Sequence, residues 1–163
     1  MANHRLWAPW RLEYLKGEKS SDCIFCSKPG LPDDEALIVH RGSSCYVILN
    51  AFPYTNGHVM VAPYAHVGDP RELPVETSTE MTDLTQRSLG AIERVYGPEG
   101  FNLGMNLGEV AGAGFAGHVH THVVPRWKGD TNFMPVIGDT RVMPEALPDS
   151  WRRLRDAFED PAA

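Results

Sequence analysis

From Gly117 to Pro125 the chain reads Gly-His-Val-His-Thr-His-Val-Val-Pro, with histidines at 118, 120 and 122 and β-branched residues at 119, 121 and 123. Alternation this strict matches the two-residue side-chain period of a β-strand and no helical period. His118, His120 and His122 are therefore expected on one face of a strand, with Val119, Thr121 and Val123 on the other, where they suit a packed core. Histidine ionises closer to neutrality than any other side chain, so three on one face point to nucleophilic, acid–base or metal-binding chemistry. Such a strand needs a sheet around it, and the rest of the chain has to supply the partners.

Several segments can. Leu37–Arg41 and Cys45–Leu49 are short β-rich runs around Gly42-Ser43-Ser44, a hairpin signal. Asn50–Gly57 is dense in turn residues and leads into the apolar run His58–Pro63, which continues an antiparallel meander. Phe101–Asn106 is a fourth strand candidate, joined to the histidine strand by the glycine-rich stretch Gly108–Gly117. Between them, Thr77-Ser78-Thr79-Glu80 predicts a capping box, and Met81, Leu84, Leu89, Ile92 and Val95 predict the apolar stripe of a long helix ending at Gly97-Pro98. A short C-terminal helix is expected from Pro148 to Phe158, with Trp151, Leu154 and Phe158 at helical spacing. The fold class is thus α+β, an antiparallel sheet of about five strands with one main helix and a short C-terminal one.

A chain of 163 residues, 42% of them hydrophobic, is expected to form a single domain over 1–163. Residues 1–20 include Trp7, Trp10 and Tyr14, too aromatic for a solvated tail, and are expected to dock on the body; residues 128–163 form a C-terminal extension. The net charge is −6, and no run of Lys/Arg exceeds two residues, so neither a nucleic-acid surface nor a membrane is expected as a partner. Met1–Tyr14 does not read as a leader and there is no long apolar run, so a cytoplasmic setting is expected. Of the three cysteines, Cys23-x-x-Cys26 reads as a metal half-site and Cys45 as a core residue. His4 and His40 read as ordinary polar positions.

Two chemistries fit the histidine row. Alternate strand positions can share a metal, or the central imidazole can attack phosphorus while its neighbours bind the phosphate. Met105-Asn106 and Gly108, Gly112, Gly114 and Gly117 favour the second, since a flexible backbone there could present amides to an anion.

The run His118-Val119-His120-Thr121-His122-Val123-Val124 resembles the signature of the histidine triad (HIT) family, and Gly57-His58-Val59-Met60-Val61-Ala62-Pro63 and Cys23-Ile24-Phe25-Cys26 resemble its other segments. The resemblance spans about Cys23 to Trp127. The two ends, Arg5–Tyr14 and Pro125–Phe133, resemble the branch that includes diadenosine tetraphosphate phosphorylases and hydrolases. It implies a HIT-like fold, a homodimer, and a nucleotidyl hydrolase or transferase cleaving the α-phosphate linkage of adenine nucleotides through a covalent nucleotidyl-histidine.

Residue by residue, the resemblance implies His120 as nucleophile, with His58, His122, Asn106 and the Gly114 backbone around the phosphate, and Asn50 at the ribose. It implies a structural zinc held by Cys23, Cys26, His66 and His118, and no organic cofactor. Trp7, Trp10, Phe25, Ile48 and Phe52 are candidates for an adenine slot or for the core, and Arg126 and Lys128 for phosphate contact. Where members often carry Gln-Ser or Gln-Thr, this chain has Gly114-Phe115, which leaves the choice of leaving group and acceptor open. A purine nucleoside phosphoramidase is the alternative within the class; a zinc-dependent hydrolase built on the histidine row and a non-catalytic nucleotide-binding regulator are alternatives outside it.

Overall fold

The computed structural model describes residues 23–130 and 143–160, and in it five antiparallel strands form one sheet in the order β1-β2-β3-β5-β4. The strands are β1 (Ile38–Arg41), β2 (Cys45–Leu49), β3 (Val59–Pro63), β4 (Gly100–Gly104) and β5 (Thr121–Arg126). Among the described residues four α-helices accompany them: two single-turn ones, α1 (Ile24–Ser27) and α2 (Asp33–Ala36), the long α3 (Val75–Tyr96), and α4 (Leu147–Glu159). This is the α+β architecture the sequence predicts. The two single-turn helices have too few residues to show a period and were not expected.

Every residue of β2 and β3 is buried, because both faces of the sheet are covered. On one face Cys45, Val47, Leu49, Val59, Val61, Val119 and Val123 pack with the apolar stripes of α3 and α4, including Leu84, Ile92, Leu154 and Phe158. On the other, Ile38, Tyr46, Ile48, Met60 and Ala62 pack with Phe25 and Ala36 from α1 and α2. Alternate residues of each strand thus feed separate clusters, as the two-residue period requires. His118 and His120 lie on the second of these faces, against Phe25.

The predicted capping box is not formed. Helix α3 starts at Val75, after Pro74, with no side-chain cap. Glu80 instead reaches across to the β1–β2 turn, where its carboxylate accepts the backbone N–H groups of Ser43 and Ser44 at 2.5 and 2.6 Å. A carboxylate on two otherwise unpaired turn amides is a stronger arrangement than a local cap, and the tertiary contact wins. The other end agrees with the sequence: Gly97 takes a left-handed conformation and its N–H closes on the Glu93 carbonyl.

Two strands differ from expectation at their ends. β4 stops at Gly104, paired with His122, so Asn106 lies beyond the last pair. The histidine strand is regular only from Thr121. Helix α4 matches its prediction and is tied down by Trp151, whose Nε1–H donates to the Ile38 carbonyl at 2.8 Å, and by Arg94, which bonds the Ala157 carbonyl at 2.7 Å. Among the described residues no helix is long and apolar enough to cross a membrane. Trp7, Trp10, Tyr14, His4 and the stretch around Phe133 lie outside the described residues.

His40 is not an ordinary polar position. Its ring stacks on Phe158 of α4 at 5.3 Å and 18°, with the Arg87 guanidinium over the same Phe158 ring. Burial pushes its pKa down and Arg87 adds to this, while Glu80, Asp83 and Glu159 act the other way. With the folded-state pKa depressed, the unfolded chain binds protons more readily. The stability is therefore full above the ordinary histidine pKa of about 6.5 and is lost as pH falls through the lower folded value. Urea unfolding between pH 7.5 and 5 should show a shallower acid loss in His40→Phe, which keeps the stack without a titrating group; an unchanged slope would refute the assignment.

Candidate functional site

The chain enters the histidine row from a turn rather than from a strand. The His118 N–H bonds the Phe115 carbonyl at 3.3 Å and the Val119 N–H bonds the Val67 carbonyl at 2.7 Å, so His118 and His120 precede the paired part of β5. The alternation survives: Val119 and Val123 enter the helix-side core, and His118 and His120 pack against Phe25 on the other side. Yet the three imidazoles have different neighbours, and the row is divided among them.

Three of the tautomers follow from a backbone contact and the fourth from a neighbouring imidazole. His120 Nδ1 lies 2.9 Å from the His118 carbonyl, which can only accept, so the proton sits on Nδ1 and the lone pair on Nε2. His118 Nε2 lies 2.8 Å from the Pro63 carbonyl, so its lone pair is on Nδ1, toward Cys23 and Cys26. The Tyr54 backbone N–H donates to His58 Nδ1 at 3.1 Å, which puts the His58 proton on Nε2. From there it is donated across 3.0 Å to His122 Nδ1, which leaves the His122 proton on Nε2. His120 is thereby set as a lone-pair donor and His122 as a hydrogen-bond donor. Their ring centroids are 4.8 Å apart.

Burial reinforces this. His120 is 6% exposed and His118 1%. Desolvation pushes both pKa values down, by more than their carbonyl contacts raise them, so both rings are held neutral. A neutral imidazole with a free Nε2 lone pair is a competent nucleophile near neutral pH.

The Asn50–Gly57 loop builds the other side. Gly57, with φ +77°, turns the chain into β3 where a Cβ would meet the Tyr96 ring at 2.8 Å, so only glycine fits. This puts His58, which is fully buried, just before the strand that pairs with β5. Asn50 Oδ1 accepts the Phe52 N–H at 2.9 Å and its Nδ2 lies 3.3 Å from His58 Nδ1, so Asn50 belongs to the same group. Tyr54, unremarked in the sequence, lays its ring against His58 at 4.6 Å and alongside His122 at 6.0 Å. Nothing in the local pattern marks it, because the contact depends on how the loop folds back.

Cys23, Cys26, His66 and His118 form a second group, with ligand atoms all within 4.8 Å of one another. The contacts are 3.4 Å from Cys23 Sγ to His118 Nδ1, 3.3 Å from Cys26 Sγ to His66 Nδ1 and 3.6 Å from Cys26 Sγ to His118 Nδ1. Sulfur and nitrogen ligands at zinc bond lengths of about 2.3 and 2.0 Å would stand about 3.5 Å apart on a tetrahedron. The donor set and the His118 tautomer, held by Pro63, both fit zinc. His120 and His122 are not part of this group.

Other candidates fare differently. Asn106 is half-buried in the loop beyond β4. The amides of Ala111, Gly112 and Ala113 bond back to Gly108 and Glu109, so they are spent inside the loop, leaving Gly114 to Gly117 as the approach to His118. Arg126 is committed to Asp130 and Asn102, and the Lys128 backbone to Glu99; the structure gives the Arg126 side chain a structural use. Phe25 and Ile48 are core residues, whereas Phe52 is exposed.

The HIT domain family matches residues 32–129 of the chain. An AP-4-A phosphorylase of Mycobacterium tuberculosis is 43% identical over 159 residues, covering 92% of this chain and 82% of that one. An adenylylsulfatase of Arabidopsis thaliana is 30% identical over 110 residues, covering 68% of this chain and 55% of its own length. Among solved structures, a Zn-bound histidine triad family protein from Mycobacterium smegmatis superposes with a TM-score of 0.67 at 29% identity, covering 85% of this chain and 94% of that one.

Proposed function

The chain belongs to the HIT domain family, and on that premise we propose that it is a nucleotide phosphorylase that cleaves diadenosine tetraphosphate at an α-phosphate through a covalent nucleotidyl-His120. The observation that carries this reading is the His118 carbonyl on His120 Nδ1, which leaves a buried, neutral Nε2 lone pair in the middle of the site. The 43% identity to an AP-4-A phosphorylase supports the substrate and the acceptor.

His120 Nε2 attacks the α-phosphorus, the bond to the bridging oxygen breaks, and ATP leaves as an anion. A neutral nucleophile avoids the repulsion that an anionic one would meet at the polyphosphate. His122 Nε2–H, backed by His58, donates to a non-bridging oxygen, and Gly114 and Asn106 complete the phosphate contacts. Asn50 keeps one oxygen lone pair and one amide hydrogen beyond its loop contacts for the ribose hydroxyls. Inorganic phosphate then attacks the same phosphorus from the opposite side, His120 leaves, and ADP forms. Two displacements with a good leaving group replace a single difficult one.

Cys23, Cys26, His66 and His118 hold a structural zinc, which supplies a crosslink between the α1 turn, the loop after β3 and the start of the histidine row. The zinc-bound relative supports this assignment. We take 1–163 to act as one domain in the cytoplasm, where Cys23, Cys26 and Cys45, none of them in a disulfide, stay reduced, and on a small nucleotide rather than nucleic acid or membrane. A second copy fits the β4 edge. Leu103 is 52% exposed there, beside an open groove lined by Leu73, Met81, Leu89 and Met105.

His120→Asn should lower kcat/KM by a factor on the order of 10³ or more with an unchanged unfolding midpoint. Wild type should yield ADP plus ATP from diadenosine tetraphosphate only when phosphate is present; AMP plus ATP without it would make the enzyme a hydrolase. Elemental analysis should find about one zinc per chain, lost in Cys23→Ser but retained in His122→Ala. Sedimentation should give a dimer that Leu103→Arg converts to monomer, and a wild-type monomer would remove the homodimer.

A further inference from the structure

We propose that Phe25 is a positioning residue for His120, through which the Cys23, Cys26, His66 and His118 group fixes the aim of the nucleophile. This rests on the reading of His120 as nucleophile. Phe25 sits between the two cysteines on α1, whose turn is closed by the Cys26 and Ser27 N–H groups on the Cys23 carbonyl, both at 3.0 Å. Its own carbonyl accepts the hydroxyl of the fully buried Tyr46 at 2.7 Å, which ties the turn to β2. Its ring is 2% exposed and stacks on His120 at 4.5 Å and 29°. The same ring is 5.1 Å from His118 and meets Phe115 of the glycine-rich approach edge-on at 6.3 Å.

Among the described residues His120 otherwise has the His118 carbonyl at one edge and the His122 ring edge-on at 4.8 Å, neither of which lies flat against its face. A single hydrogen bond leaves an imidazole soft about its terminal torsion, whose energy wells are broad. A flat contact against the ring face supplies the missing constraint on where Nε2 points. Both restraints come from the same group, one through the backbone of His118 and the other through the residue between Cys23 and Cys26. Loss of the ion at that group would loosen both together. Phe25 is buried against the imidazole and makes its contribution through His120, not by touching the reacting atoms.

The test uses Phe25→Leu, which keeps apolar volume without a flat face, and Phe25→Tyr, which keeps the face. Phe25→Leu should lower kcat about tenfold to a hundredfold with KM within about twofold, and Phe25→Tyr should recover most of it. In substrate-free protein labelled with ¹⁵N-histidine, the His120 Nδ1–H resonance should be sharp and slowly exchanging in zinc-loaded wild type. It should broaden in Phe25→Leu and in chelator-treated wild type. Wild-type kcat in Phe25→Leu, or a resonance indifferent to both the substitution and chelation, would overturn the proposal. If Phe25→Leu does not fold, the chelated wild type decides: a broadened signal supports the coupling and an unchanged one overturns it. Activity surviving in His120→Asn would defeat the nucleophile reading instead, and the resonance would still report whether the ring is held.

Discussion

The antiparallel pairing of β3 with β5 is the contact on which both sites depend. Val59, Met60 and Val61 face Val123, His122 and Thr121, joining the N-terminal meander to the C-terminal hairpin. The residue before β3, His58, bonds His122, and the residue that ends it, Pro63, holds His118 through its carbonyl. One five-residue strand thus sets a member of the His58–His122 pair at one end and a member of the thiol group at the other. Closing this pair spans a long stretch of chain, but loop-closure entropy grows only slowly with length, and burial on both faces offsets it.

Around that pairing, three backbone carbonyl or amide contacts choose the tautomers of His58, His118 and His120, and His58 passes the choice to His122. A carboxylate beside His120 would favour its protonated form and take away the lone pair, whereas a carbonyl fixes direction without adding charge. Burial under Phe25 acts in the same sense. A site that receives a polyphosphate gains from this, since fixed negative charge near the phosphorus would oppose binding and attack alike.

Much of the fold was legible because burial follows period. The β2 and β3 runs, the α3 stripe ending at Gly97 and the α4 stripe through Trp151 all appear where the sequence places them. The misreadings share a cause: a local pattern cannot see a distant competitor. Thr77 to Glu80 has the form of a capping box, but Ser43 and Ser44 offer Glu80 two amides from across the sheet. Phe101–Asn106 alternates like a strand, but its pairing with β5 stops at Gly104, opposite His122. Arg126 looks available for phosphate until Asp130 and Asn102 take it.

The sequence by itself determined which residues could do the chemistry. Three histidines at two-residue spacing with valines between them can be presented only by an extended segment, and Cys23-x-x-Cys26 can bring two thiols to one point without help from the rest of the chain. Tertiary structure alone decided how that row is used. A side-chain period fixes a face but not a neighbour, and it was the Pro63 carbonyl, the buried His58 and the stacked Phe25, all from other elements, that gave His118, His120 and His122 three different surroundings.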